Sequence, residues 1–88
     1  MTNKDFVLNA EWLDSNIERF YELTFELLKN PNAEELRKEI DRYDDMIAAR
    51  LYDLFHSNLT AEQEWLFSKL EDDYDEISSY VRYNIRTS

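Results

Sequence analysis

Hydrophobic residues recur every three or four positions along three segments of the chain, with polar residues between them. This spacing places them on one face of an α-helix, which has about 3.6 residues per turn. The pattern predicts helices over residues 4–29, 33–56 and 61–86. The predicted buried positions are Phe6, Ala10, Leu13, Ile17, Phe20, Thr24 and Leu27 in the first helix, Leu36, Ile40, Tyr43, Ile47, Leu51 and Leu54 in the second, and Leu66, Leu70, Tyr74, Ile77, Val81 and Ile85 in the third.

Other large side chains lie beside these faces. Tyr21 and Leu28 are expected to widen the buried face of the first helix, and Met46 and Phe55 that of the second. Seven more rings fall off or beside the faces: Trp12, Phe25, Tyr52, Trp65, Phe67, Tyr80 and Tyr83. Because three narrow faces cannot hide so many rings, we expect some of them at the surface, where Trp and Tyr are common binding anchors.

Residues that favour helix starts precede each segment. These residues are Thr2 or Asn9 for the first helix, Asn32 for the second and Thr60 for the third. Their side chains can accept a hydrogen bond from a backbone amide in the first turn of the helix. Glu35 and Gln63 follow the last two by three residues, which is the capping-box spacing. Short connections between long helices favour antiparallel neighbours. The sequence therefore predicts an all-α fold, a three-helix up-down-up antiparallel bundle in one domain (1–88), or alternatively a helical hairpin that completes a bundle by dimerising.

Composition supports helices and narrows the function classes. The chain has 88 residues with no glycine, one proline and no cysteine. Glycine-dependent phosphate loops, tight hairpins, disulfides and thiolate metal sites are therefore excluded. The N-terminal residues lack a basic start followed by an apolar stretch, and no apolar run is long enough for a membrane span. We expect a cytoplasmic protein.

Charge is the most unusual property of the chain. Twenty acidic and ten basic residues give a net charge of −10, which repels nucleic acid and anionic membranes and attracts basic protein surfaces. An acidic ridge (Asp14, Glu18, Glu22 and Glu26) has four-residue spacing, and each like-charge pair costs a helix roughly 0.2–0.5 kcal/mol. An acidic run (Glu71, Asp72, Asp73, Asp75 and Glu76) lies within the third helix, where aspartate is unfavourable. Helix stability does not explain either cluster.

Two interpretations of these acids compete. In the first, they form a solvated face that keeps the protein in solution, as charge runs commonly do. In the second, they bind a basic partner. The charges of one ridge are spaced more widely than the phosphates of DNA, so imitation of DNA would need the first and third helices together. The predicted partner-binding residues are the ridge residues Asp14, Glu18, Glu22 and Glu26, the run residues Glu71, Asp72, Asp73, Asp75 and Glu76, and the rings Trp12 and Trp65.

Catalytic chemistry finds little support in the sequence. The pairs Glu11/Asp14 and Asp41/Asp44 have a spacing used by magnesium-dependent helical nucleotide hydrolases, but such pairs arise by chance among so many acids. His56, the single histidine, lies near a predicted helix end, where interaction with the helix dipole is common. We therefore predict no enzyme activity, no cofactor and no metal.

In size, acidity and helicity the chain resembles the small acidic helical inhibitors encoded by phages and mobile elements. These include DNA-mimic anti-restriction and anti-CRISPR proteins and bacteriocin immunity proteins. The resemblance implies a non-catalytic protein that inhibits or masks a basic, nucleic-acid-binding protein or nuclease, in the host cytoplasm if phage-encoded, without binding nucleic acid or membrane itself. The alternative function is a structural helical module that forms a homodimer or joins a larger complex.

Overall fold

Three helices account for most of the chain. The computed structural model describes the backbone of residues 2–86 and the side chains of residues 2–85; the predicted domain also includes residues 1, 87 and 88, which lie outside this range. The elements are α1 (Asn3–Lys29), α2 (Glu34–Phe55), α3 (Ala61–Val81) and a final π-helical turn (Arg82–Arg86), with no strand in the described part. They form the predicted up-down-up three-helix bundle.

The bundle is elongated, and α1 is its central helix. Helix α1 packs against both α2 and α3, whereas α2 and α3 contact each other least. The molecule measures 43 × 19 × 16 Å with a radius of gyration of 14.0 Å. A spherical domain of this length would have a radius of gyration of about 12 Å. An elongated bundle of this kind leaves long surface grooves between neighbouring helices.

The predicted core faces are largely confirmed. All seven positions predicted for α1 are buried, as are most of those in α2 and α3. The residues expected to widen these faces are the exceptions, because Tyr21, Leu28, Met46 and Phe55 are exposed. Leu23, which the pattern did not assign to the core, is fully buried.

Phe67 was also placed wrongly by the pattern. It was expected beside the core face of α3, but it is buried and its ring lies 6.4 Å from that of Phe55. Leu66, which was assigned to the core, is exposed. The buried face of α3 therefore begins one position later than the pattern predicts.

Two of the predicted helix starts are confirmed and one is wrong. Thr2 and Thr60 each form a complete capping box with the residue three positions later. Helix α2 begins after Ala33, not Asn32, and has no side-chain cap. The reason is a tight turn after α1, closed by a hydrogen bond from the Ala33 amide to the Asn30 carbonyl at 3.1 Å, which leaves Asn32 one residue too early to cap.

Arg37 joins two segments of the chain at one end of the bundle. Its guanidinium donates to the Ile85 carbonyl at 3.0 Å and to the Pro31 carbonyl at 3.1 Å. The π-helical turn, which the sequence pattern did not predict, keeps Ile85 buried at this junction. One side chain thus fixes the α1–α2 connection against the end of α3.

A buried carboxylate joins α2 to α3. Asp44 is 2% exposed, and its Oδ1 accepts hydrogen bonds from the Tyr74 hydroxyl at 2.5 Å and the Ser78 hydroxyl at 3.2 Å. Burial, and secondly the hydrogen bond to Asp44, raises the pKa of Tyr74 to about 12. Asp44 is therefore a structural group of the core.

Candidate functional site

An open groove runs along the surface between α1 and α3. These helices point in the same direction, and the groove between them has a volume of about 710 Å³. We call it the α1–α3 groove. Its lining residues are Asp14, Ile17, Glu18, Tyr21, Thr24, Phe25 and Leu28 from α1, and Asp73, Glu76, Ile77 and Tyr80 from α3.

The floor of the groove is apolar and exposed. Tyr21 is 57% exposed, Phe25 and Leu28 are each 50% exposed, and Tyr80 from α3 is 39% exposed. Tyr21, Phe25 and Leu28 have the spacing i, i+4, i+7, which aligns them along one side of α1. Helix α1 therefore carries a second apolar stripe beside its core face, and no described helix covers it.

Carboxylates from both helices also line the groove. Asp14 and Glu18 come from α1, Asp73 and Glu76 come from α3, and all four are exposed. None of the described lining residues is basic, although Lys29 places its Nζ 4.9 Å from the ring centroid of Phe25. The sequence analysis proposed that acids of the first and third helices act together. These four acids, two from each helix, line the same groove.

The acidic ridge does not stay in the groove along its whole length. Four residues of helix turn the chain by about 400°, so each step of the ridge rotates by about 40° and the four acids span about 120°. Asp14 and Glu18 therefore face α3, and Glu22 and Glu26 turn away from it. Arg19, which donates to Glu22 at 3.3 Å, lies on that far side.

The surroundings of Arg19 support this placement. The hydrogen bond to Glu22 raises the pKa of Arg19, and the charges of Glu26, Glu22 and the α2 residue Glu39 act in the same direction. Glu22 and Glu26 are exposed, and neither of them lines the groove. They contribute to the overall negative field.

The acidic run of α3 divides in a similar way. Asp73 and Glu76 line the α1–α3 groove, whereas Glu71 and Asp75 line a smaller recess of about 340 Å³ between α2 and α3. Partial burial, and secondly the charges of Asp75 and Asp72, raises the pKa of Glu71. Asp72 is exposed on the outer side of α3.

The two tryptophans lie apart from the groove and from each other. Trp12 is half-buried on the α2 side of α1, where the Arg50 guanidinium stacks 4.3 Å from its ring centroid. Arg50 also donates to the Asn9 side chain at 2.6 Å. The structure thus gives Trp12 a packing role and does not bring it to the same surface as Asp14 and Glu18.

Trp65 lies at the other end of the α1–α3 pair. It is 64% exposed, and Lys69 places its Nζ 4.5 Å from the ring centroid. With Phe6, Val7 and other residues, it lines a recess of about 720 Å³ between the beginnings of α1 and α3. This recess lies on the same helix pair as the groove, closer to the two N-termini.

The candidate catalytic residues do not assemble into a site. Burial of Asp44 removes it from an exposed Asp41/Asp44 pair, and no group of three metal-ligating side chains occurs among the described residues. His56 follows the end of α2, with its ring 4.3 Å from that of Tyr52.

Within residues 2–86, no helix has an apolar stretch long enough to cross a membrane.

The sequence interpretation missed the floor of the groove. It assigned Tyr21 and Leu28 to the core and treated Phe25 separately, although the three share one helical stripe. The signal was a second apolar stripe beside the first, which a bundle of only three helices cannot bury.

No protein-family model, curated protein or solved structure matches this chain. The functional argument therefore rests on the geometry of the groove.

Proposed function

We propose that this chain is a non-catalytic binding protein that masks the nucleic-acid-binding surface of a basic protein. The observation that carries the proposal is the α1–α3 groove, which is lined by Asp14 and Glu18 from α1, by Asp73 and Glu76 from α3, and by exposed rings. Surfaces that bind nucleic acid present Lys and Arg to phosphates, and the same cations pair with carboxylates held on rigid helices.

The two kinds of side chain in the groove have different roles in binding. Burial of exposed rings such as Tyr21 and Phe25 supplies affinity, because aromatic anchors dominate the energetics of most interfaces. The carboxylates, with the net charge of −10, accelerate association and select a partner of opposite charge. A partner occupied in this way loses access to phosphates, which is the inhibitory effect.

The test is affinity capture from bacterial lysate with the protein and two charge-reversed variants. Both variants change four exposed acids to lysine, so their total charge is the same. The groove variant carries D14K, E18K, D73K and E76K, and the control variant carries E35K, D45K, D53K and E64K. Capture is performed at about 50 mM and 500 mM salt, between which the Debye length shortens from roughly 14 Å to 4 Å.

The expected result is a basic nucleic-acid-binding protein that the parent chain and the control variant retain at low salt. The groove variant does not retain it, and added duplex DNA displaces it from the parent chain. Equal retention by the groove variant and the control variant would refute the proposal, because net charge alone would then explain capture. A captured protein that duplex DNA does not displace would refute masking of a nucleic-acid site.

The open apolar groove is also compatible with the second candidate function, a helical module that self-associates. Two copies that pair through this groove would bring Asp14, Glu18, Asp73 and Glu76 of each chain together, and like charges at an interface are unfavourable. Sedimentation equilibrium tests this alternative directly. A dimer that strengthens steeply with salt would favour self-association, and a monomer at both salt concentrations would exclude it.

A further inference from the structure

We infer that the α1–α3 groove accepts one amphipathic α-helix of the partner, whose apolar stripe is flanked on both sides by Lys or Arg. This inference rests on the proposed function and specifies the part of the partner that binds. It follows from the length of the groove, from the spacing of its floor residues and from the charge of its two sides.

The length of the groove suits a short helix. Its lining extends from Asp14 to Leu28 on α1, which is roughly 21 Å at about 1.5 Å per residue. A helix of about 14 residues, four turns long, covers that distance. The alternative of an added β-strand is excluded here, because strand addition needs a sheet edge and both walls of the groove are helices.

The floor has the spacing that helices use to pack on one another. Tyr21, Phe25 and Leu28 lie at i, i+4, i+7 along α1, and Ile77 and Tyr80 lie at i, i+3 along α3. Two neighbouring helices with such stripes form the holes that receive the side chains of a further helix. An incoming apolar stripe would therefore convert this three-helix bundle into a four-helix arrangement.

The charges decide which helix fits. Asp14 and Glu18 belong to the α1 wall of the groove, and Asp73 and Glu76 belong to the α3 wall. A helix seated between them places the residues beside its apolar stripe next to these carboxylates, as at the e and g positions of a coiled coil. Lys and Arg suit these positions, because their long aliphatic stems cover apolar surface while their charged ends reach the acids. A second copy of this strongly acidic chain lacks that complementarity.

The probe is a fluorescein-labelled synthetic helix of about 18 residues with leucine at heptad positions a and d and lysine at e and g. Two control peptides isolate its features. One replaces the lysines with glutamates, and the other keeps the composition but scrambles the leucines, so that no stripe remains. Binding is measured by fluorescence anisotropy, and the stoichiometry by sedimentation.

Protein variants isolate the groove without altering the core. The groove variant is F25A/L28A, in which both residues are 50% exposed, and the control is Y52A/F55A, a pair at the end of α2 in which both are 65% exposed. Circular dichroism checks that both variants remain helical. Chemical-shift changes on binding are expected at Tyr21, Phe25 and Tyr80, and not at Tyr52.

The expected result is a one-to-one complex with the lysine peptide and at least about tenfold weaker binding by F25A/L28A than by Y52A/F55A. Neither control peptide should bind. The inference is overturned if the lysine peptide does not bind, if both protein variants bind it equally, or if the protein alone forms a dimer that F25A/L28A dissociates. Where lysate capture depends on the groove acids but the peptide fails, the proposed function stands and only the helical partner is refuted.

Discussion

The substitution Tyr74→Phe tests whether the buried carboxylate of Asp44 contributes to the stability of the bundle through its hydrogen bonds. The change removes one hydroxyl and retains the ring, which stacks on Phe20 with 6.1 Å between centroids. Asp44 is 2% exposed, so water does not replace the lost donor. Ser78 still donates to the same oxygen, but over a longer distance of 3.2 Å.

The expected loss follows from the charge and burial of the acceptor. A hydrogen bond to a charged group contributes about 1.5–3 kcal/mol, compared with about 1 kcal/mol for a neutral pair. We expect Tyr74→Phe to lower the free energy of unfolding by about 2 kcal/mol. For a chain of this length, each kcal/mol lowers Tm by about 4–8 °C, which gives a decrease of roughly 8–16 °C.

The assay is urea denaturation followed by circular dichroism, with Tm measured by calorimetry. The matched control is Tyr52→Phe, because Tyr52 is 65% exposed and loss of its hydroxyl should change stability by less than about 0.5 kcal/mol. If Tyr74→Phe costs no more than this control, the hydrogen bond to Asp44 does not stabilise the fold and our account of the α2–α3 contact is wrong.

The same residue predicts a loss of stability at alkaline pH. The pKa of Tyr74 is raised to about 12 in the folded protein, and tyrosine has a pKa of about 10 in an unfolded chain. Between these values the unfolded state releases the proton first, so rising pH favours unfolding. The stabilisation is complete below about pH 10 and decreases by about 2–3 kcal/mol as pH rises to 12. Tyr74→Phe should remove this decrease, and an unchanged pH profile in the variant would contradict the assignment.

Three further changes test other contacts. Thr60→Ala removes the side-chain cap of α3 and should cost about 1 kcal/mol in urea denaturation. Arg50→Ala loses both the stacking on Trp12 and a charge-assisted hydrogen bond, so we expect a loss of about 1–2 kcal/mol by the same assay, and a smaller loss than about 0.5 kcal/mol would count against it. Arg37→Ala should speed amide hydrogen exchange in residues 82–86 by about tenfold or more, with α1 unaffected.

The sequence predicted the helices and most of the core because both depend on local information. Periodicity identifies one face of a helix, and the caps at Thr2 and Thr60 need only residues within one turn. The start of α2 was missed because the pattern does not show the turn closed by the Ala33 amide and the Asn30 carbonyl, to which Arg37 of the following helix adds a hydrogen bond at Pro31. The burial of Asp44 was missed for a similar reason, since its partners are 30 or more positions away in the chain.

The candidate site was only partly predictable. The sequence analysis predicted that the acids of the groove bind a partner, but the pattern could not show which neighbour each flank of a helix faces. The rotation of about 40° per four-residue step follows from helix geometry alone, and it separates Glu22 and Glu26 from Asp14 and Glu18. The apolar floor was hidden because Tyr21 and Leu28 sit beside true core positions, and only the packing of α3 decides that they remain exposed.

The contact among Asp44, Tyr74 and Ser78 also limits how α3 can slide along α2. Apolar helix surfaces resemble themselves after about 5.4 Å, one turn of helix, so a purely hydrophobic interface permits several alignments of similar energy. Tyr74 and Ser78 lie one turn apart on α3, so a shift by one turn would leave at most one of the two hydroxyls beside a carboxylate that is 2% exposed. Loss of a donor to a buried acceptor is unfavourable. The polar contact therefore selects one alignment of the two helices, and with it the position of Asp73 and Glu76 opposite α1.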